Sequence, residues 1–170
     1  MTDLLKFADK NDTFGFKDEL ERSQALQWTF FWHGSGAPYQ GKKMKRNHTN
    51  NQISDTSPLG QVNHFSRAAP EKIPYAIERF KKETLRVYGV LEIQLSGKYT
   101  GEPRDYLAGN GKGKYSVADI KTWPWVKGWE RTGFTEDEMK DFPHVKKWIA
   151  RIAERPAVQR GIGDDYALKK

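Results

Sequence analysis

The chain has 170 residues, no cysteine and a formal net charge of +7, with 36% hydrophobic and 30% charged residues. That is room for one core; it excludes disulfides, thiolate metal sites and a cysteine nucleophile, and 13% aromatics with 6 Trp argue against global disorder. The N-terminus has no long apolar run and nothing approaches about 20 consecutive apolar residues, so neither a signal peptide nor a membrane span is expected and a cytoplasmic location fits.

Residues 1–17 read as an irregular lead-in. Residues 18–33 read as a helix, with Asp18 and Glu19 suited to its start and Leu20, Leu26, Trp28, Phe31 and Trp32 on a broad apolar face. The run Gly34-Ser35-Gly36-Ala37-Pro38 predicts its end. Residues 42–60 differ from everything around them: only Met44, Ile53 and Leu59 are apolar, and no period is sustained. Removing them joins the flanks smoothly, so the segment reads as a disordered insertion. Lys42, Lys43, Lys45 and Arg46 against Asp55 put +3 of the net charge there. The remaining charges alternate in sign along helical patterns, so a solvated helical surface explains the basic balance and nucleic acid is not an expected partner.

From Ile73 the positions Ile77, Phe80, Thr84, Val87, Leu91 and Leu95 follow at steps of three or four, the pattern of an amphipathic helix over 73–95 with Pro74 in its first turn. Residues 96–114 carry five glycines and form a connecting loop. Gly109 to Gly113 lack the spacing of a phosphate-cradling loop and follow no strand run. Ser116 and Asp119 then make a carboxylate version of the capping box, and Tyr115 with Ile120 suit a hydrophobic staple, opening a helix over 116–129. Pro124 predicts a kink in it. A further helix covers 142–155, bounded by Pro143 and Pro156. Residues 163–170 form a tail. No segment alternates like a strand, and the expected fold is an all-α helical bundle.

Tyr115-Ser-Val-Ala-Asp-Ile-Lys-Thr-Trp-Pro-Trp-Val126 and Phe142-Pro-His-Val-Lys-Lys-Trp-Ile-Ala-Arg-Ile-Ala-Glu-Arg-Pro-Ala-Val158 resemble consecutive helices of the glutathione S-transferase C-terminal domain. Leu26-Gln-Trp-Thr-Phe-Phe31, Asn63-His-Phe65 and Ala69-Pro-Glu-Lys-Ile-Pro-Tyr-Ala-Ile-Glu-Arg79 are similar to its fungal nitrogen-regulator-like and bacterial nu-class branch. Within a domain of residues 18–162 the resemblance covers about residues 20–162, interrupted by the 42–60 insertion, and implies a helical domain that shapes a cleft for glutathione and a small hydrophobic electrophile. The family's glutathione-activating half is a thioredoxin-like domain. Residues 1–17 are too few to build one, because parallel strands need a crossover of about a dozen residues. A lone domain is therefore expected to be impaired, with no cofactor of its own and glutathione as co-substrate. It is expected to pair with itself or with a complete transferase subunit. The alternative is a non-catalytic interaction module on the same helices.

By the resemblance, Arg79 reaches bound glutathione; read from the residues alone, it is a surface arginine paired with Glu83. Phe30, Phe31, His33, Tyr39, His64, Phe65 and Trp125 are candidates for the electrophile pocket, though Phe30, Phe31 and Trp125 also read as helical core. His33 and His64 lack metal-ligand spacing and read as structural or surface residues. No residue stands out as catalytic. Capping accounts for Asp119, and Asp119→Ala is expected to cost about 1 kcal/mol.

Overall fold

A computed structural model describes residues 7–40 and 60–163. The expected insertion therefore lies outside the described residues except for Gly60, and the expected tail outside except for Gly163. Among the described residues the fold is helical throughout, with a single isolated antiparallel bridge between Ala108 and Lys114.

The described part of the lead-in, residues 7–17, is irregular but tied down. The Asp9 carboxylate accepts the backbone N–H groups of Thr13, Phe14 and Gly15 at 2.7–2.8 Å. Lys114 Nζ donates to the carbonyls of Asp12 and Gly15, and Phe16 is buried with Ala25 and Ala108 in a small satellite core. Helix α1, Glu19–Phe31, starts at Asp18, whose side chain accepts the N–H of Leu20 and Glu21. Ala25 and Thr29 are its buried residues, while Leu20, placed on the apolar face by the sequence, is exposed.

The predicted break at Gly34–Pro38 does not occur. The chain continues through a π-helical turn, Trp32–Gly36, closed by Ala37 N–H to the Trp32 carbonyl, into α2, Ala37–Gln40. A proline inside a helix lacks one N–H and crowds the carbonyl four residues back; the wider turn lets Pro38 be taken up without ending the helix. Gly36 makes the turn possible: a Cβ there would lie 2.4 Å from the ring of the fully buried Trp32. Beyond the undescribed stretch come α3, Gln61–Asn63, and a second π-helical turn, His64–Ala68.

Helix α4, Pro74–Ser96, is the central element, as its periodicity predicts. It buries Thr84, Val87, Tyr88, Leu91 and Leu95, and packs on α2, α3 and α7. It stops at Gly97, left-handed with φ of 70°, where a side chain would also collide with the Glu102 carbonyl.

Helix α5, Val117–Val126, has the capping box: Asp119 Oδ2 accepts the Ser116 backbone N–H at 3.0 Å and its hydroxyl at 3.2 Å. The expected Tyr115–Ile120 staple gives way to other partners. Tyr115 packs edge-on against Phe14 and Tyr106 and under the Arg155 guanidinium, and Ile120 is exposed. The helix ends two residues after Pro124, shorter than predicted, and a 3-10 turn over Glu130–Thr132 follows. Helix α6, Glu136–Met139, was not anticipated; Thr135 and Glu138 close a second capping box there. In α7, Pro143–Ala153, the cap comes from another element: the Glu92 carboxylate on α4 accepts the N–H of His144 and Val145 and meets His144 Nδ1 at 2.6 Å. Pro156 ends α7 as expected but also opens α8, Pro156–Ile162.

Asp119 does more than cap. Its Oδ1 accepts the Leu107 N–H at 3.1 Å and Trp148 Nε1–H at 2.9 Å, joining the glycine-rich loop, α5 and α7 at one fully buried carboxyl. Burial pushes its pKa up, against the pull of the bonds from Trp148, Leu107 and Ser116. Asp119→Ala would strand several buried donors at once, so the loss should reach about 3–5 kcal/mol rather than a cap's worth, with Asp119→Asn in between. Urea unfolding of the two variants measures this. By the same assay, Gly36→Ala should cost about 1–3 kcal/mol through overpacking against Trp32.

Candidate functional site

The first turns of α4 run along the floor of an open cleft. Tyr75, Glu78, Arg79, Phe80, Lys82, Glu83 and Arg86 line it, with Tyr39 from α2 as the opposite wall, around a volume of about 580 Å³. Spacings of three and four residues bring these α4 side chains together on one side of the helix. Three aromatic rings from three segments support the cleft. Phe80 lies between Tyr39, at 6.1 Å and 26°, and Phe65, at 5.5 Å and 10°, and His64 meets Phe65 edge-on at 5.0 Å. Offset stacks of this kind hold ring positions as well as burying area.

The charges on the floor are mostly spoken for. Lys82 pairs with Glu78 at 2.6 Å. Arg86 grips Glu83 through Nε and Nη2, the shortest contact being 2.7 Å. These pairs hold both carboxyls below the usual carboxylate range, Glu83 chiefly through Arg86 and more weakly through Arg79. The expected Arg79–Glu83 pair is thus not formed, because Arg86 occupies Glu83. Arg79 is exposed and has no hydrogen bond or ion pair among the described residues. Three cations face two carboxylates, so the cleft carries one excess positive charge, held on a guanidinium suited to a carboxylate.

The sequence candidates divide accordingly. Tyr39 and Arg79 line the cleft, and Phe65 and His64 stand behind Phe80. Trp125 packs against the main core, and its carbonyl accepts Gln40 Nε2–H at 2.7 Å, which anchors α2 beside Tyr39. Phe31 packs edge-on against Trp28. Phe30 is 64% exposed and His33 is exposed, and neither lines the cleft. Tyr75, Lys82 and Arg86 were missed; their helical spacing on the polar side of α4 was the available signal.

The glycine-rich loop is turned to another purpose. The carbonyls of Gly109 and Gly111 accept from the Arg104 guanidinium, and the Asn110 N–H is taken by Glu21. With these groups engaged inside the protein, the loop is a brace rather than a phosphate cradle. Among the described residues no group of three or more His, Cys, Asp or Glu could hold a metal ion, and no helix is long and apolar enough to cross a membrane.

The family described as glutathione S-transferase, C-terminal domain, matches residues 62–156. Among curated proteins the chain is 36% identical over 159 residues to the disulfide-bond oxidoreductase YfcG of Escherichia coli, covering 94% of this chain and 60% of that protein. It is also 36% identical over 146 residues to the glutathione S-transferase-like protein tpcF of Aspergillus fumigatus, covering 84% of this chain and 55% of that one. Among solved structures it is similar to glutathione transferase URE2P6 from Phanerochaete chrysosporium, in complex with oxidized glutathione. The TM-score is 0.71 at 29% identity, over 94% of this chain and 60% of that one. The chain thus spans little more than half the length of these relatives. The matched helices, in the order the residue patterns set out, make this chain a member of the glutathione S-transferase C-terminal domain family.

Proposed function

We propose that this chain is the helical half of a glutathione transferase-like protein that conjugates or reduces hydrophobic electrophiles with glutathione. The observation that carries the reading is Arg79: a guanidinium without a protein carboxylate, in a cleft whose far wall is Tyr39. In this reading Arg79 takes a glutathione carboxylate, and the Tyr39, Phe80 and Phe65 stack walls the space where an apolar electrophile enters. The chemistry itself is attack by the glutathione sulfur on an electrophilic carbon, whose leaving group departs with the bonding electrons. Lowering the thiol pKa is assigned to a thioredoxin-like domain or a complete partner subunit, in keeping with the greater length of the relatives. A cytoplasmic location belongs to the same reading.

The 170-residue protein by itself should therefore turn over a chloro-nitrobenzene substrate at the background rate and bind glutathione only weakly. Arg79→Gln should weaken that binding about three- to tenfold, the scale of one charge-assisted hydrogen bond at an exposed site. Conjugation clearly above background, or tight stoichiometric binding in a calorimeter, would overturn the half-enzyme reading.

A second reading is a non-catalytic interaction module, possible because Leu20, Phe30 and Tyr75 are 76%, 64% and 73% exposed. Large apolar side chains in water favour association. Sedimentation of the pure protein should then show self-association, and a clean monomer that binds no hydrophobic dye would remove this reading.

A further inference from the structure

The charge order along α4 contains a device that the family resemblance does not assign. Glu78, Arg79, Lys82, Glu83 and Arg86 share the cleft. On a helix, Arg79 and Glu83 are four residues apart and within pairing distance by default. Pairs with the acidic residue on the N-terminal side are the better ones, and both pairs that form have that order: Glu78 with Lys82, and Glu83 with Arg86. The second is the stronger, because a two-pronged guanidinium–carboxylate contact is the geometry in which a surface pair counts. Arg79 has the reverse order toward Glu83 and is left over.

We infer that Arg86 is the positioning residue of this cleft: by holding Glu83, it keeps Arg79 open for the carboxylate of an incoming ligand. The inference rests on the reading of the cleft given above. Arg86 touches no reacting atom in it. Without Arg86, Arg79 is the remaining cation that acts on the Glu83 carboxylate, since Lys82 is engaged by Glu78. The cleft would lose its excess charge and its free guanidinium together.

The test uses the 170-residue protein, glutathione as the probe, and nitrogen–proton spectra in which the Arg79 Nε–H signal is followed. In the ligand-free protein Arg86→Gln should shift that signal, as Arg79 takes Glu83, and the double variant Glu83→Gln with Arg86→Gln should return it. In glutathione titrations, R86Q should raise the apparent Kd about two- to fivefold, the range of exposed ion pairs, and the double variant should restore wild-type affinity or better. Both positions are at the surface of α4, and equal thermal melts confirm intact folds. If R79Q loses binding while R86Q keeps it, the cleft reading stands and this inference alone falls. If R86Q weakens binding but removing Glu83 does not restore it, the role of Arg86 is direct and the inference also falls. If R79Q binds glutathione like the wild type, the cleft reading falls and this inference with it.

Discussion

One buried carboxyl ties the loop after α4 to the start of α5 and to α7. Asp119 sits at the N-terminus of α5, where the helix leaves N–H groups unsatisfied, and takes the Ser116 N–H there. Its other oxygen reaches Leu107 in the loop after α4 and Trp148 in α7. Burying a carboxyl is costly unless donors surround it, and here they come from the glycine-rich loop, the start of α5 and α7, which lie 12, 3 and 29 residues away in sequence. Each segment is therefore constrained by the same group. The Arg104 guanidinium lies in the field of Asp119, is itself pushed down in pKa by burial, and spends its N–H groups on the carbonyls of Gly109 and Gly111. The glycine-rich loop is thereby braced from within, and α7 packs on α4.

That bracing bears on the cleft. Helix α4 is clamped along its buried face by Val87, Leu91 and Leu95, and clamped again where Glu92 caps α7. Its first turns are left to face outward with their charges. The wall opposite is delivered by α2, whose position depends on the π-helical turn at Trp32 and on the bond from Gln40 to the Trp125 carbonyl. A ring stack between Tyr39, Phe80 and Phe65 then joins the wall to the floor. These contacts together shape and charge the cleft, in a chain that spans little more than half the length of its relatives.

Much of the fold was legible in residue patterns. The three- and four-residue steps from Ile73 to Leu95 place α4, and Ser116 with Asp119 place the start of α5. The Thr135–Glu138 box was equally legible and opens α6, but the helix is a single turn and shows no period of its own. The break expected at Gly34–Pro38 was misread for a physical reason. Glycine and proline destabilise an α-helical turn, yet here a π-helical turn takes in Gly34 and Gly36 and the helix continues through Pro38. Leu20 was misplaced because a stripe of apolar residues names a face without naming its cover.

The sequence alone determined the family, the all-helical class, the span of α4 and the order of charges along it, because these are carried by local motifs in a fixed order and by a helical period that repeats along the chain. Tertiary structure decided which of the aromatic candidates meet. Tyr39, Phe65 and Phe80 come from three different elements, 26 and 15 residues apart in sequence, and no helical period links them. It also decided that Asp119 serves three segments rather than one cap, and that Glu83 turns to Arg86. Spacing says which side chains are within reach of one another, but only the packed chain settles which partner each of them takes.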